Sequence, residues 1–511
     1  MLERFAQHFD QLLNLPGNVD SAALASITQR PTVHVLDEPP KMDELLKAIA
    51  ATKESKAPGC CGIPAEVWKY GGTTLKERLL DVIGDIWIGE KIPQDWKDAN
   101  IVPIFKKGSR KECGNYRGIS LLSIAGKVMA RILLNRLNEM ISPRRRLVGS
   151  TEKFGCTDKI INLVKAFHEG MQAKVTRGSD CSEGFAVSTG VKQGCVLAPT
   201  LFSFYLAAML EVAFEDTREG IYIQTRHDGN LFNASHFKAK TRTTRQLVRD
   251  MLFADDCALV AHSAAEMQAL VDKFAQAAAM FSLKINIKKT ECLYQPVKLL
   301  LPPPKPCAIT IDGQPLVQTT DFNYLGSTIS SNAKIEKELR NRMGRASAAF
   351  SQLNDRLWQN KHVSTRVKAK VYQAVVLTTL LYGAEAWTIY RLQVKKLSAY
   401  MMRQLRDILK ISWRDKIANA KILRLTDLPH MADMLIQKNL RWIGHVHRME
   451  GSRLPRQLLY SQLVEGKRNQ GRPRLRLKDV MKRNLKRRDI NVTTWKQLAD
   501  NRPAWRASIQ P

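Results

Sequence analysis

The sequence predicts an α/β fold, and three observations carry that expectation. Two apolar runs meet at a pair of carboxylates in Met251-Leu252-Phe253-Ala254-Asp255-Asp256-Cys257-Ala258-Leu259-Val260, the pattern of a hairpin of two buried strands. A glycine-bearing turn, Gly190-Val191-Lys192-Gln193-Gly194, leads through Pro199 into the apolar run Thr200 to Leu210, the pattern of a turn that opens a helix. A third apolar stretch, Val371 to Trp387, is interrupted by Gln373 and Glu385 and reads as a buried helix rather than a membrane span.

The remaining elements follow along the chain. Residues 1–40 form a lead-in segment with Phe5, Phe9, Leu12 and Leu13 on one helical face before the turn at Pro16-Gly17. Residues 41–300 alternate helix-like and strand-like runs and close at Pro302-Pro303-Pro304, a stiff linker. A β-like stretch from Ala308 to Ile329 opens the region 301–434, which is helical from Ile335 onward. Residues 435–511 form a basic tail.

Charge points to a polyanionic partner. The chain has 80 Lys and Arg against 48 Asp and Glu, a net +32, and such an excess concentrates nucleic acid at the surface. From Arg441 onward there are about 18 basic residues against about 5 acidic ones, the densest excess in the chain. Either a phosphate-binding segment or a solvated, disordered extension would show this. Trp442, Trp495 and Trp505 argue against complete disorder and could stack on bases.

Nine scattered cysteines suit free thiols in a reducing compartment, and no cysteine follows Cys307, which excludes a Cys-Cys-His-Cys zinc knuckle from the tail. His445 and His447 are then expected to make polar or phosphate contacts rather than bind metal. With no signal peptide pattern at Met1 to Phe5 and no long apolar run, the protein is expected to be intracellular, in nucleus or cytoplasm, without a membrane partner. Its oligomeric state is open.

In their order, the motifs resemble the reverse transcriptase of a non-LTR (LINE-type) retrotransposon. Lys56-Ala57-Pro58-Gly59 and Ile92-Pro93-Gln94-Asp95-Trp96 resemble finger motifs, followed by Asn115-Tyr116-Arg117-Gly118-Ile119-Ser120-Leu121-Leu122. The Gln193-Gly194 turn and the Phe-Ala-Asp-Asp turn come next, then Lys284-Ile285-Asn286 with Lys289-Thr290. Phe322-Asn323-Tyr324-Leu325-Gly326 resembles the primer-grip region. Arg441-Trp442-Ile443-Gly444-His445-Val446 with Gly471-Arg472-Pro473 resembles the family's C-terminal tail.

The resemblance implies a right-hand polymerase architecture: an α+β palm with helical fingers and thumb, followed by a helical basic tail. Fingers and palm would occupy 41–300, primer grip and thumb 301–434, and the nucleic-acid-binding tail 435–511. The chain would begin in the linker before the fingers, without the apurinic-type endonuclease that usually precedes them. It implies RNA-directed DNA polymerase activity on an RNA template and DNA primer with deoxynucleotide triphosphates. Asp255 and Asp256 would be catalytic and would hold Mg²⁺ or Mn²⁺. Lys289 would protonate pyrophosphate, or be a plain solvated charge. Arg117, Gln193 and Gly194 would line the nucleotide pocket; the alternatives are a surface salt bridge for Arg117 and a plain helix-start turn for the other two.

At one place the chain departs from the family. Two-ion phosphoryl transfer needs carboxylates from two strands, and the expected Phe-x-Asp-Leu-x-Lys-Ala-Phe-Asp strand is missing. Ile160 to His168 mimics its spacing, with Asn162 and His168 in place of the aspartates, but its neighbours resemble a helix that the family places downstream. An internal loss near Arg144 to Glu152 accounts for this and leaves the palm incomplete. Two functions follow: a polymerase impaired by the lost aspartate, or a catalytically dead nucleic-acid-binding descendant or retroelement relic.

Overall fold

The computed structural model describes residues 2–14, 17, 19–141, 155–188, 194–226, 231–232, 243–296, 308–465 and 474–510. The fold is mixed α/β, mostly helical, with several small sheets. It divides into two compact units, residues 1–218 with 250–259 and 269–285, and the remainder. Among the described residues no helix is long and apolar enough to cross a membrane.

The first unit is built on a sheet with the path β2-β1-β3-β4, from Tyr116–Leu121, Ala99–Phe105, Met171–Arg177 and Asp180–Cys181, with β5 (Phe185–Val187) also on β3. β1 runs antiparallel to β2, pairing Ile101 with Ser120 and Ile104 with Arg117, and parallel to β3, pairing Ile101 with Val175. The lead-in helix Leu2–Leu13 covers this sheet with Phe5 and Phe9 against Ile101, Ala173, Val175 and Val187. Each ring removed from water in this way contributes about 1.5–3 kcal/mol. Leu12, expected on the same face, is 55% exposed, because the buried stripe is set by Phe5, Ala6 and Phe9.

A second core of the unit is helical. Val128, Met129, Ile132 and Leu133 of the helix Ile124–Ile141 pack with Trp87, Leu45, Leu163 and Phe204. At its edge Arg136 is 7% exposed, donates to both carboxylate oxygens of Glu44 at 2.8 Å, and lies over the Trp87 ring. Residues Asp158–Ala166 form a helix capped by Thr157, so Asn162 sits exposed on a helix and not on a strand. β3, which follows it, carries no acidic residue.

The second unit has two helical cores. One gathers Trp358, Tyr372, Leu380, Leu397 and Met401, so the Val371 to Trp387 stretch is buried as expected, although Tyr372–Leu377 is a π-helical turn. The other lies in the described part of the basic tail: Trp495 and Trp505 are 1% and 2% exposed among Leu440, Ile443, Met481 and Leu485. Base stacking by these two tryptophans is therefore corrected, since their rings are spent on the core. All eight described cysteines are free thiols.

Candidate functional site

The carboxylate pair sits where the sequence placed it, on a hairpin. β8 (Asp250–Phe253) and β9 (Asp256–Leu259) pair antiparallel with Phe253 opposite Asp256, leaving the two-residue turn Ala254-Asp255. Ala254 has φ +51°, the left-handed region that a residue with a Cβ adopts at a cost of roughly 1–2 kcal/mol. The expectation of two buried strands is corrected: Leu252 is 38% and Phe253 63% exposed, and among the described residues the hairpin is a sheet of two strands. Asp255 and Asp256 are exposed.

No group of three His, Cys, Asp or Glu side chains able to hold a metal occurs among the described residues. Two successive carboxylates at a turn supply at most a fraction of the six or more oxygens that a hard divalent ion takes from protein and water.

Three of the sequence motifs meet elsewhere in the same unit, through glycines. Gly194 has φ +126°, and a Cβ there would lie 2.4 Å from the Ser120 carbonyl oxygen. A Cβ on Gly59 would lie 2.3 Å from the Leu122 carbonyl carbon, and one on Gly118 would strike the Phe9 ring at 2.8 Å. These glycines bring backbone against backbone, or backbone against Phe9, at the end of β2, where Ser120 and Ser123 are buried. Gly194 thus makes the close approach expected of it, but to β2. Arg117 is exposed on β2 and has no ion pair among the described residues. Gln193 lies outside the described residues, as do Gly471-Arg472-Pro473 and the Arg144 to Glu152 stretch apart from its flanks. Lys289 is exposed on the short 3-10 turn Ile287–Lys289, in the second unit.

The second unit contains a contrasting hairpin, Asp321–Tyr324 with Ser327–Ser330. Its turn, Leu325 at φ +49° and Gly326 at φ +80°, has both central residues left-handed, which suits the twist of paired strands. Arg342, on the helix Glu336–Gln352, donates to the Gly326 carbonyl and to Glu338 at 2.7 Å, and lies 4.4 Å over the Tyr382 ring. Glu338 accepts from the Thr328 backbone N–H, and the Tyr382 hydroxyl donates to the Leu325 carbonyl. Sequence reasoning missed this brace, although the spacing of Glu338 and Arg342, four apart on a helix, was the available signal.

The tail motif also has a structural reading. A Cβ on Gly444 would come 2.2 Å from Trp505 Nε1, so this helix position must be bare for Trp505 to pack and donate to the Leu440 carbonyl. His447 is buried between Tyr460 and Asp500; burial draws its imidazole below the usual range, against the pull of Asp500. This is the polar contact, one of the two roles expected, made inside the fold, whereas His445 is exposed.

Comparison with known proteins agrees with the motif order. Residues 143–329 match the family described as reverse transcriptase (RNA-dependent DNA polymerase). A transposon-derived protein of Caenorhabditis elegans is 24% identical over 280 residues, 53% of this chain and 98% of the relative. The "probable RNA-directed DNA polymerase from transposon BS" of Drosophila melanogaster is 24% identical over 408 residues, 69% of this chain and 42% of the relative. The RNA-directed DNA polymerase from mobile element jockey of Drosophila funebris is 21% identical over 493 residues, 83% of this chain and 51% of the relative. The chain spans about half the length of these polymerase relatives.

Proposed function

From a chain that carries a reverse transcriptase domain related to those of non-LTR retrotransposons, we propose a protein that binds template and primer but polymerises poorly. Fingers and palm would lie in 41–300, primer grip and thumb in 301–434, and the nucleic-acid-binding tail in 435–511. The observation that carries impairment is the Asp255-Asp256 hairpin: its carboxylates are exposed and find no third ligand among the described residues. Reverse transcription of the family's kind depends on divalent metal, Mg²⁺ or Mn²⁺, clamped by carboxylates from two strands. The described donors do not build that clamp. A second reading, a catalytically dead nucleic-acid-binding relic, rests on the same hairpin and differs only in whether residual extension exists.

Primer extension on an RNA template, measured beside binding, tests the proposal. Extension is expected at or near background with either ion, and Asp255→Ala should change it little. Robust extension abolished by Asp255→Ala would overturn impairment. Binding should persist and weaken steeply with salt. Deleting 441–511 would also remove core residues such as Trp505, so the sharper variant replaces the exposed Lys482, Lys486 and Arg487 by Gln. The salt slope should fall by about one for each phosphate-binding cation removed; an unchanged slope would remove the tail from the binding surface.

A further inference from the structure

A cluster of reactive side chains lies in the first unit, apart from the carboxylate hairpin. Cys195 follows the Gly194 turn and stands at the start of the helix Ala198–Phe214, with the backbone N–H groups of Leu197 and Ala198 hydrogen-bonded to its sulfur. His168 is hydrogen-bonded to the same thiol. Its Nδ1 is 2.8 Å from the Val164 carbonyl oxygen, which can only accept. Nδ1 therefore carries the proton, and Nε2 is the ring atom able to take one from sulfur.

Lys127, from the helix Ile124–Ile141, lines the same narrow pocket, whose walls include Trp96, Leu122, Phe167 and Met171. The groups that act on its charge are thiols, Cys195 and Cys61, and it forms no carboxylate ion pair among the described residues. Lys97 completes the titratable lining.

Three enclosed thiols of this chain allow an internal comparison. Burial pushes Cys156 up to about 12, and burial with the Asp250 charge does the same to Cys257. Burial pushes Cys195 up too, but the His168 hydrogen bond and the two backbone N–H groups outweigh it, and the thiol ends below its ordinary value. An imidazole base, a helix N-terminus and a half-buried ammonium together are surroundings in which cysteines become nucleophiles.

We propose that Cys195 is a modification site for small soft electrophiles of the activated-alkene class, with His168 as its base and Lys127 as the countercharge. His168 Nε2 takes the thiol proton and the sulfur attacks the terminal alkene carbon. The S–C bond forms, the C=C π pair moves to the carbon beside the carbonyl, and that carbon takes the proton back from His168. The product is a thioether, with no oxidant, reductant or leaving group. The adduct would stand between Gly194 and the helix it opens. This site rests on its own geometry and not on polymerase activity.

The probe is acrylamide, a small neutral activated alkene, on the full native chain, with each cysteine followed by peptide mass mapping over time. At pH 7 Cys195 should be alkylated at least about 5-fold faster than the exposed Cys60, despite its lower exposure, and Cys156 should stay unmodified. Its rate should rise with a midpoint below that of Cys60. His168→Gln should lower the Cys195 rate and move its midpoint upward while Cys60 is unchanged; Lys127→Met should do so in part. A wild-type Cys195 rate no greater than that of Cys60 would overturn the proposal whether or not the variants fold, as would a well-folded His168→Gln chain with unaltered rate and midpoint.

Discussion

The two hairpins of this chain solve the same backbone problem in opposite ways. Each puts a residue with a side chain in the left-handed region, Ala254 at φ +51° and Leu325 at φ +49°. The second is braced from beneath: Arg342 and Glu338, each about 4% exposed, hold its carbonyl and amide groups, and Tyr382 adds a hydroxyl. The first shows Phe253 and two carboxylates to solvent. Backbone strain persists where the surroundings over-determine it. Asp255 and Asp256 stand on the more exposed of the two hairpins.

The comparison is broken most forcefully by removing the brace. Arg342→Met leaves the Glu338 carboxylate buried without its guanidinium partner and the Gly326 carbonyl with Arg345 as its remaining donor, a loss of about 3–5 kcal/mol. Urea unfolding of the whole chain should show it in the transition of the second unit. Asp255→Ala, at an exposed turn, should stay within about 0.5 kcal/mol of the parent. Equal effects at the two sites would mean that the hairpins do not differ in support.

How much of this contrast was legible in the sequence depends on what each residue meets. The Asp-Asp turn and its strands were placed by local pattern alone, because a polar break between apolar runs needs no knowledge of neighbours. Their exposure was not, because it depends on what packs against the hairpin and not on its own pattern. The glycines flanking Gln193 suggested close approach, but only the fold shows that Gly194 meets β2, and that Gly59 and Gly118 are crowded against Leu122 and Phe9. Asn162 was read correctly as helical from its flanking residues, against a strand-like spacing. Trp495 and Trp505 were ambiguous between stacking and packing, since an aromatic ring serves either. The bareness of Gly444 settles Trp505 for packing.

A smaller effect sharpens the braced hairpin further. Asp321 accepts from Ser330 Oγ at 2.7 Å across the strand pair, and that hydrogen bond, with those of Thr320 and the charges of Lys337 and Arg340, holds its carboxyl below the usual value of 3.8. A depressed folded value means that the folded state binds the proton less tightly than the unfolded one. The contribution is therefore complete above about pH 4 and is lost as pH falls through the folded value. Carboxyl-carbon NMR titration should find Asp321 below 3.8 in the parent and closer to it in Ser330→Ala. An unmoved titration would remove the cross-strand bond as the cause.

The smallest expected effect lies at the bare turn and tests whether it is bare. Ala254→Gly relieves roughly 1 kcal/mol of left-handed strain but loosens the unfolded chain by about 0.4–1 kcal/mol, so the two nearly cancel. The melting temperature should move by no more than about a degree or two. Ala254→Val keeps the unfolded chain stiff and adds a branched Cβ to the same backbone conformation, so it should be the less stable of the pair by about 1 kcal/mol or more. The order glycine above valine follows from backbone strain alone, with no contact from the Ala254 methyl. If glycine instead costs as much as valine, that methyl is packed against something, and the carboxylate hairpin has a support that its exposed strands do not show.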